Sequence, residues 1–139
     1  MDYRIEKDKI VVRLDKDEDI ISSLHDIAIK ENIRGGSFTG IGAANFLKIG
    51  IFDPVLKQYV IQEFKGDFEI VNLTGNFGYF ENKPVVHAHI SFASSDFKVK
   101  GGHLLNGTVS LTCEIFGQIL TNDLIKLNDN ELGIKRIKI

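Results

Sequence analysis

Cysteine occurs once in the 139 residues, so no disulfide can form within the chain, and a reducing cytoplasm is the expected setting. No stretch approaches the roughly 18 consecutive apolar residues that a membrane helix needs, and no membrane partner is expected. The opening Met1-Asp2-Tyr3-Arg4-Ile5-Glu6-Lys7 lacks the basic start and apolar run of a secretory signal. An excess of one charge is missing as well. Seventeen basic residues face nineteen acidic ones, for a formal net charge of −2. A protein that grips DNA mainly through its phosphates usually carries a basic excess or a dense basic patch. Here the densest group, Lys135-Arg136-Lys138, alternates with Ile134, Ile137 and Ile139. That alternation reads as an edge strand guarded by lysines. No Pro-, Ser- or Gly-rich linker and no internal repeat divides the chain, so residues 1–139 are read as one domain.

What is present fits an ordinary globular core, at 43% hydrophobic residues. Tyr3–Leu14 reads as two short strands around Asp8-Lys9. From Asp17 to Asn32 the period changes: Ile20, Ile21, Leu24, Ile27 and Ala28 fall at helical spacing. Asp17-Glu18-Asp19 suits the positive end of the helix dipole, and Gly35-Gly36 is read as the stop. Strands are predicted for Ser37–Ala43, Phe46–Phe52, Gln58–Lys65, Phe68–Phe77, Val85–Ala93, Phe97–Lys100, Thr108–Phe116 and near Ile134–Ile137. Asp53-Pro54, Asn82-Lys83-Pro84 and Ser94-Ser95-Asp96 mark the breaks. One main helix on a mostly antiparallel β-sheet is an α+β class.

Three of the four histidines cluster: His87-Ala88-His89, then Gly101-Gly102-His103. Alternate residues on a strand project to the same side, so His87 and His89 share a face, opposite Val86, Ala88, Ile90 and Phe92. A hairpin through Ile90–Lys100 would bring His103 beside them. Three imidazoles around one point form a candidate metal site with an open fourth position, as in catalytic zinc. Neutral imidazole also suits copper, iron and nickel. Val109, Leu111, Cys113 and Ile115 read as an apolar face, which makes Cys113 a small core residue. If this strand pairs with Val85–Ala93, Glu114 shares the histidine face and becomes a candidate catalytic residue.

Other features carry less. His25, on the helix, is read as a surface residue. Gly35–Gly42 tempts a phosphate-loop reading, but it lacks the third glycine, the following helix and the lysine-serine or lysine-threonine pair. Close backbone packing explains it better. No strand-turn-helix elbow presents Ser91, Ser94 or Ser95 as a nucleophile. Asp67 and Glu69 flank Phe68 and read first as solvated strand residues.

In order along the chain, several motifs resemble one family. Val12-Arg13-Leu14 precedes the helix, and Thr39-Gly40-Ile41-Gly42-Ala43 follows it. Then come Gly66-Asp67-Phe68-Glu69-Ile70 with Leu73-Thr74-Gly75-Asn76, Pro84 with His87-Ala88-His89, Gly101-Gly102-His103-Leu104, Cys113-Glu114-Ile115 and Glu131-Leu132-Gly133-Ile134. The chain is similar over nearly its whole length to the PPC (plants and prokaryotes conserved) domain. That resemblance implies a compact α+β subunit assembling as a homotrimer. It implies a metal, usually zinc, on His87, His89 and His103, with Arg13, Glu69, Gly101 and Gly102 as further family-motif positions. Stand-alone prokaryotic members are known as predicted DNA-binding proteins. Plant members add AT-hooks centred on Arg-Gly-Arg-Pro, which this chain lacks, and an arginine where Asp67 stands.

Two functions follow. The first is a DNA-binding or regulatory homotrimer carrying a three-histidine zinc site. The second is a metal-dependent small-molecule binder or enzyme using that site without DNA. A plain self-assembling scaffold is the third, blander reading.

Overall fold

The structure is a computed structural model describing all residues 1–139. Strands β1 (Asp2–Glu6) and β2 (Lys9–Asp15) form the opening hairpin. Helix α1 spans Ile20–Lys30. Asp19 caps it: one carboxylate oxygen accepts from the Ser22 N–H at 2.8 Å and the other from the Gly107 N–H at 2.9 Å. The helix ends sooner than the sequence suggests. Glu31 is its C-cap and Asn32, at φ 50°, turns the chain, whereas Gly36 already opens the next strand. Asparagine takes the left-handed region well enough to end a helix without a glycine.

The predicted strand fragments fuse into long, bent ribbons. Strand β3 runs Gly36–Asp53 and β4 runs Gln58–Phe80, followed by β5 (Lys83–Ala93) and β6 (Val99–Ile119). Register shifts in β3 at Gly40/Gly42 and Ala44/Phe46 absorb the breaks read from sequence. The glycines of the Gly35–Gly42 run thus lie in or beside a strand and not in a phosphate loop. A two-stranded ribbon, β7 (Lys126–Asp129) with β8 (Ile134–Ile137), ends the fold, and β7 left no clear signal in sequence.

The six main strands order β1-β2-β6-β3-β4-β5, all neighbours antiparallel, and β5 pairs again with β6. Strands β3, β4, β5 and β6 therefore close on themselves. The core holds Leu47, Leu73, Ala88, Ile90, Phe92 and Leu104 with Ile20, Leu24 and Ile27 of α1. Each leucine, isoleucine and phenylalanine among them contributes roughly 1.5–3 kcal/mol on burial. Leu111 is the exception among the expected core residues, at 73% exposure. Cys113 pairs with Gly42 and Val109 with Ala44, so β6 spends four residues where β3 spends two, and the bulge turns Leu111 outward. Cys113 itself is fully buried.

Candidate metal centre

The closure of β6 onto β5 builds the site. Ser94–Lys98 makes the turn, with the Asp96 carboxylate accepting from the Lys98 N–H at 3.1 Å and the Ser94 hydroxyl at 2.9 Å. The returning strand places His103 opposite His89, and on its other side opposite Gly50 of β3. His103 thus stands where three strands meet. Gly101 allows that junction: a side-chain carbon there would collide with the Ile90 carbonyl oxygen. Gly102 follows, in register with Ile90 itself.

The three rings face one another. Centroids are 5.0 Å apart for His87 and His103, 5.3 Å for His87 and His89, and 5.5 Å for His89 and His103. One nitrogen from each lies within 4.8 Å of the others. Tetrahedral zinc with Zn–N of about 2.0–2.1 Å holds its nitrogens roughly 3.3 Å apart, so modest ring rotations suffice. Tyr59 backs the group, its ring 4.9 Å from that of His103. The buried Nδ1 of His103 has no hydrogen-bond partner, and neither has the buried Oδ1 of Asn76, which lies opposite His87 in the β4–β5 register. Buried polar atoms are rarely left unpaired, and a cation accepting the imidazole lone pairs accounts for this histidine. The donor set therefore fits a transition-metal ion.

Burial and nearby charge keep His87 and His103 neutral. Burial, then Lys126 and the other two histidines, pushes His87 down to about 4. His103 is lowered by burial, then by His89 and Lys126. Both rings are thus unprotonated at pH 7, the form that binds metal. The site opens on a cavity of about 800 Å3, walled by Ile51, Phe52, Tyr59 and Val86. Lys126 and Lys135 of the β7–β8 ribbon also line it, and the sequence reading missed both as site residues. Only the docking of that ribbon brings them here.

Glu114 does not join the histidines. The β5–β6 pairing stops at His103, and Glu114, eleven residues further along β6, lies opposite Arg13 and Ile41. It lines a separate cavity of about 340 Å3 with Glu69, Ile41 and Val71. Glu69 and Glu114 thus line one cavity, Arg13 is the register partner of Glu114, and Arg13 is paired with Asp15 at 2.9 Å. His25 is half-buried on α1 and stands apart, beside a third cavity with Val85 and Asn106.

Fold and site together describe a β-rich α+β domain with a trihistidine cluster at a strand junction. The chain belongs to the family of the Plants and Prokaryotes Conserved (PCC) domain, whose profile matches residues 1–121. A candidate DNA-binding protein from Bacteroides thetaiotaomicron superimposes with a TM-score of 0.95 at 27% identity, covering 99% of this chain and 96% of its own. A plant- and prokaryote-conserved protein from Pyrococcus horikoshii gives 0.88 at 27%, covering 99% and 94%. A metal-containing protein from Archaeoglobus fulgidus gives 0.88 at 27%, covering 99% and 97%. No curated protein is similar enough in sequence to match. No helix is long and apolar enough to cross a membrane.

Proposed function

We propose that this chain is a metal-dependent small-molecule-binding protein in which His87, His89 and His103 hold a zinc ion whose remaining position faces the adjoining cavity. The convergence of three imidazoles, one with an orphaned buried nitrogen, carries this reading. It is supported by the metal-containing A. fulgidus protein of the same fold. Three protein ligands and one open position are the arrangement of catalytic zinc, which polarises a bound carbonyl or acidifies a bound water. No carboxylate lines the cavity. Elemental analysis of the purified protein tests the reading, with about one metal per chain expected. A native preparation that is metal-free and stays so after zinc is added would refute it.

A second reading, a DNA-associated regulatory module, is favoured by the candidate DNA-binding proteins of B. thetaiotaomicron and Ralstonia eutropha that share the fold. The net charge of −2 opposes it. It requires duplex retardation at low salt that weakens steeply as salt rises, and a folded protein that retards nothing would end it.

Assembly as a homotrimer belongs to either reading. It is supported by the outward face that carries Ile41, Val71 and Phe116, each at least half exposed. Ile41 and Val71 share one cavity wall, and Phe116 lies opposite Thr39, two residues before Ile41. Exposed apolar groups gathered on one face usually mark a contact surface.

A further inference from the structure

We propose that the cavity over the three histidines takes a small organic carboxylate, with Lys126 as the group that anchors its negative charge; this rests on the metal reading above. Lys126 as a residue is only 7% exposed and lines the cavity, yet no acidic group lies within ion-pair distance of it. No hydrogen bond to a protein acceptor holds it either. Lysine is almost never buried this deeply without a partner. Its position is built, not incidental. The Leu124 N–H donates to the Arg34 carbonyl and the Tyr79 N–H to the Leu124 carbonyl, both at 2.9 Å, which straps the segment before β7 to the body. Arg34 adds an ion pair to Asp123 at 2.6 Å. Bare Gly78 leaves the room that the lysine stem occupies: an added carbon there would sit 2.7 Å from Lys126 Cε.

Charge balance then identifies the missing partner. Lys135 lines the same cavity, its ammonium 4.0 Å from the Phe80 ring centroid. Two lysines lining a cavity that also holds a divalent cation leave an excess of positive charge, with no acidic residue in the lining to offset it. An anion completes this site. The opposite wall, Ile51, Phe52 and Tyr59, is apolar and aromatic, with the Phe52 and Tyr59 rings 5.3 Å apart. It suits the carbon skeleton of an organic acid better than a fully hydrated inorganic ion. Both lysines lie beyond residue 121, where the family match ends, so that match assigns them nothing.

The test uses the full chain loaded with cobalt(II), whose visible spectrum reports the metal's surroundings. Benzoate is titrated in, with benzamide, acetate and inorganic phosphate as comparison arms, and binding is also read by calorimetry. Benzoate is expected to perturb the spectrum and to bind at least tenfold more tightly than benzamide and acetate. Lys126→Met is expected to keep the cobalt stoichiometry and lose at least tenfold in benzoate affinity. Cobalt uptake with no benzoate binding, or equal affinity for benzoate and benzamide, overturns the proposal and leaves the metal reading intact. Neither result depends on how the variant folds. Phosphate binding more tightly than benzoate overturns the carboxylate assignment. Failure to take up cobalt at all defeats the metal reading, and this proposal with it.

Discussion

His89 and His103 lie directly opposite each other where β6 closes onto β5, and that one register pair turns two distant histidine motifs into a single cluster. Because His103 is also the partner of Gly50, the cluster is pinned to β3 as well. A donor set on two paired strands, braced by a third, is held before any ion arrives, and preorganisation of that kind is what a metal centre needs.

His89→Ala and His103→Ala are each expected to abolish stoichiometric metal binding. His89 is exposed and His103 only half-buried, so neither loss opens a large core cavity. Stability of the metal-free variants should stay within about 1 kcal/mol of the metal-free parent. Elemental analysis beside thermal melting checks both halves. A variant that keeps full metal content removes its histidine from the donor set.

Metal saturation is expected to stabilise the chain. At a free concentration one hundred times Kd, linkage contributes about 2.7 kcal/mol, which for a domain of this size raises Tm by roughly 7–12 °C. A chelator should reverse the shift. An unchanged melting curve in the presence of bound metal would mean that folded and unfolded chains hold the ion equally well.

Gly101→Ala drives a methyl group against the Ile90 carbonyl oxygen. Relief requires β6 to move away from β5, at a cost of about 1–3 kcal/mol. Metal affinity should fall with it, although no ligand has been altered. Denaturant melts and metal titration of the one variant report the two effects separately.

Cys113 is fully enclosed, and burial, with a smaller contribution from Glu114, pushes its thiol up to about 12 from an ordinary 9.0. The native protein should therefore react very slowly with a thiol reagent at pH 8, and fast once unfolded. The sign of the pH effect follows from the raised value. The unfolded thiol ionises first, so stability from this residue is complete below pH 9 and is lost as pH climbs toward 12. Cys113→Ala should flatten that alkaline decline, as followed by denaturant midpoints from pH 8 to 11.

Ile41→Glu places a charge on the exposed apolar face. If that face joins subunits, the variant is expected to run as a folded monomer where the parent runs as a trimer, by light scattering on a sizing column. A parent protein that is itself monomeric contradicts the proposed assembly.

Much of this fold was legible because alternation and helical spacing are local properties. The alternation in Val85–Ala93 placed Ala88, Ile90 and Phe92 in the core and His87 and His89 on the other face, as the pairing and burial show. The helix was visible from Ile20, Leu24, Ile27 and Ala28, all buried. Leu111 broke the alternation because a bulge inserts residues without changing their types, and residue type was all the reading had. The early end of α1 escaped for a related reason: Asn32 terminates it, while two nearby glycines drew attention.

Pleat geometry acts between neighbours along the chain, so residue order was enough to put His87 and His89 on one side and to nominate His103 as their companion. Glu114 was drawn to the same place by the same logic and does not reach it, since strand register depends on where β6 leaves β5 for β3. Lys126 could not be seen at all. Its approach depends on a terminal ribbon strapped to Arg34 and Tyr79, contacts between segments far apart in sequence. Which side chains share a face follows from local covalent geometry, whereas which faces meet is decided only when distant backbone segments pair and the closed sheet selects one arrangement.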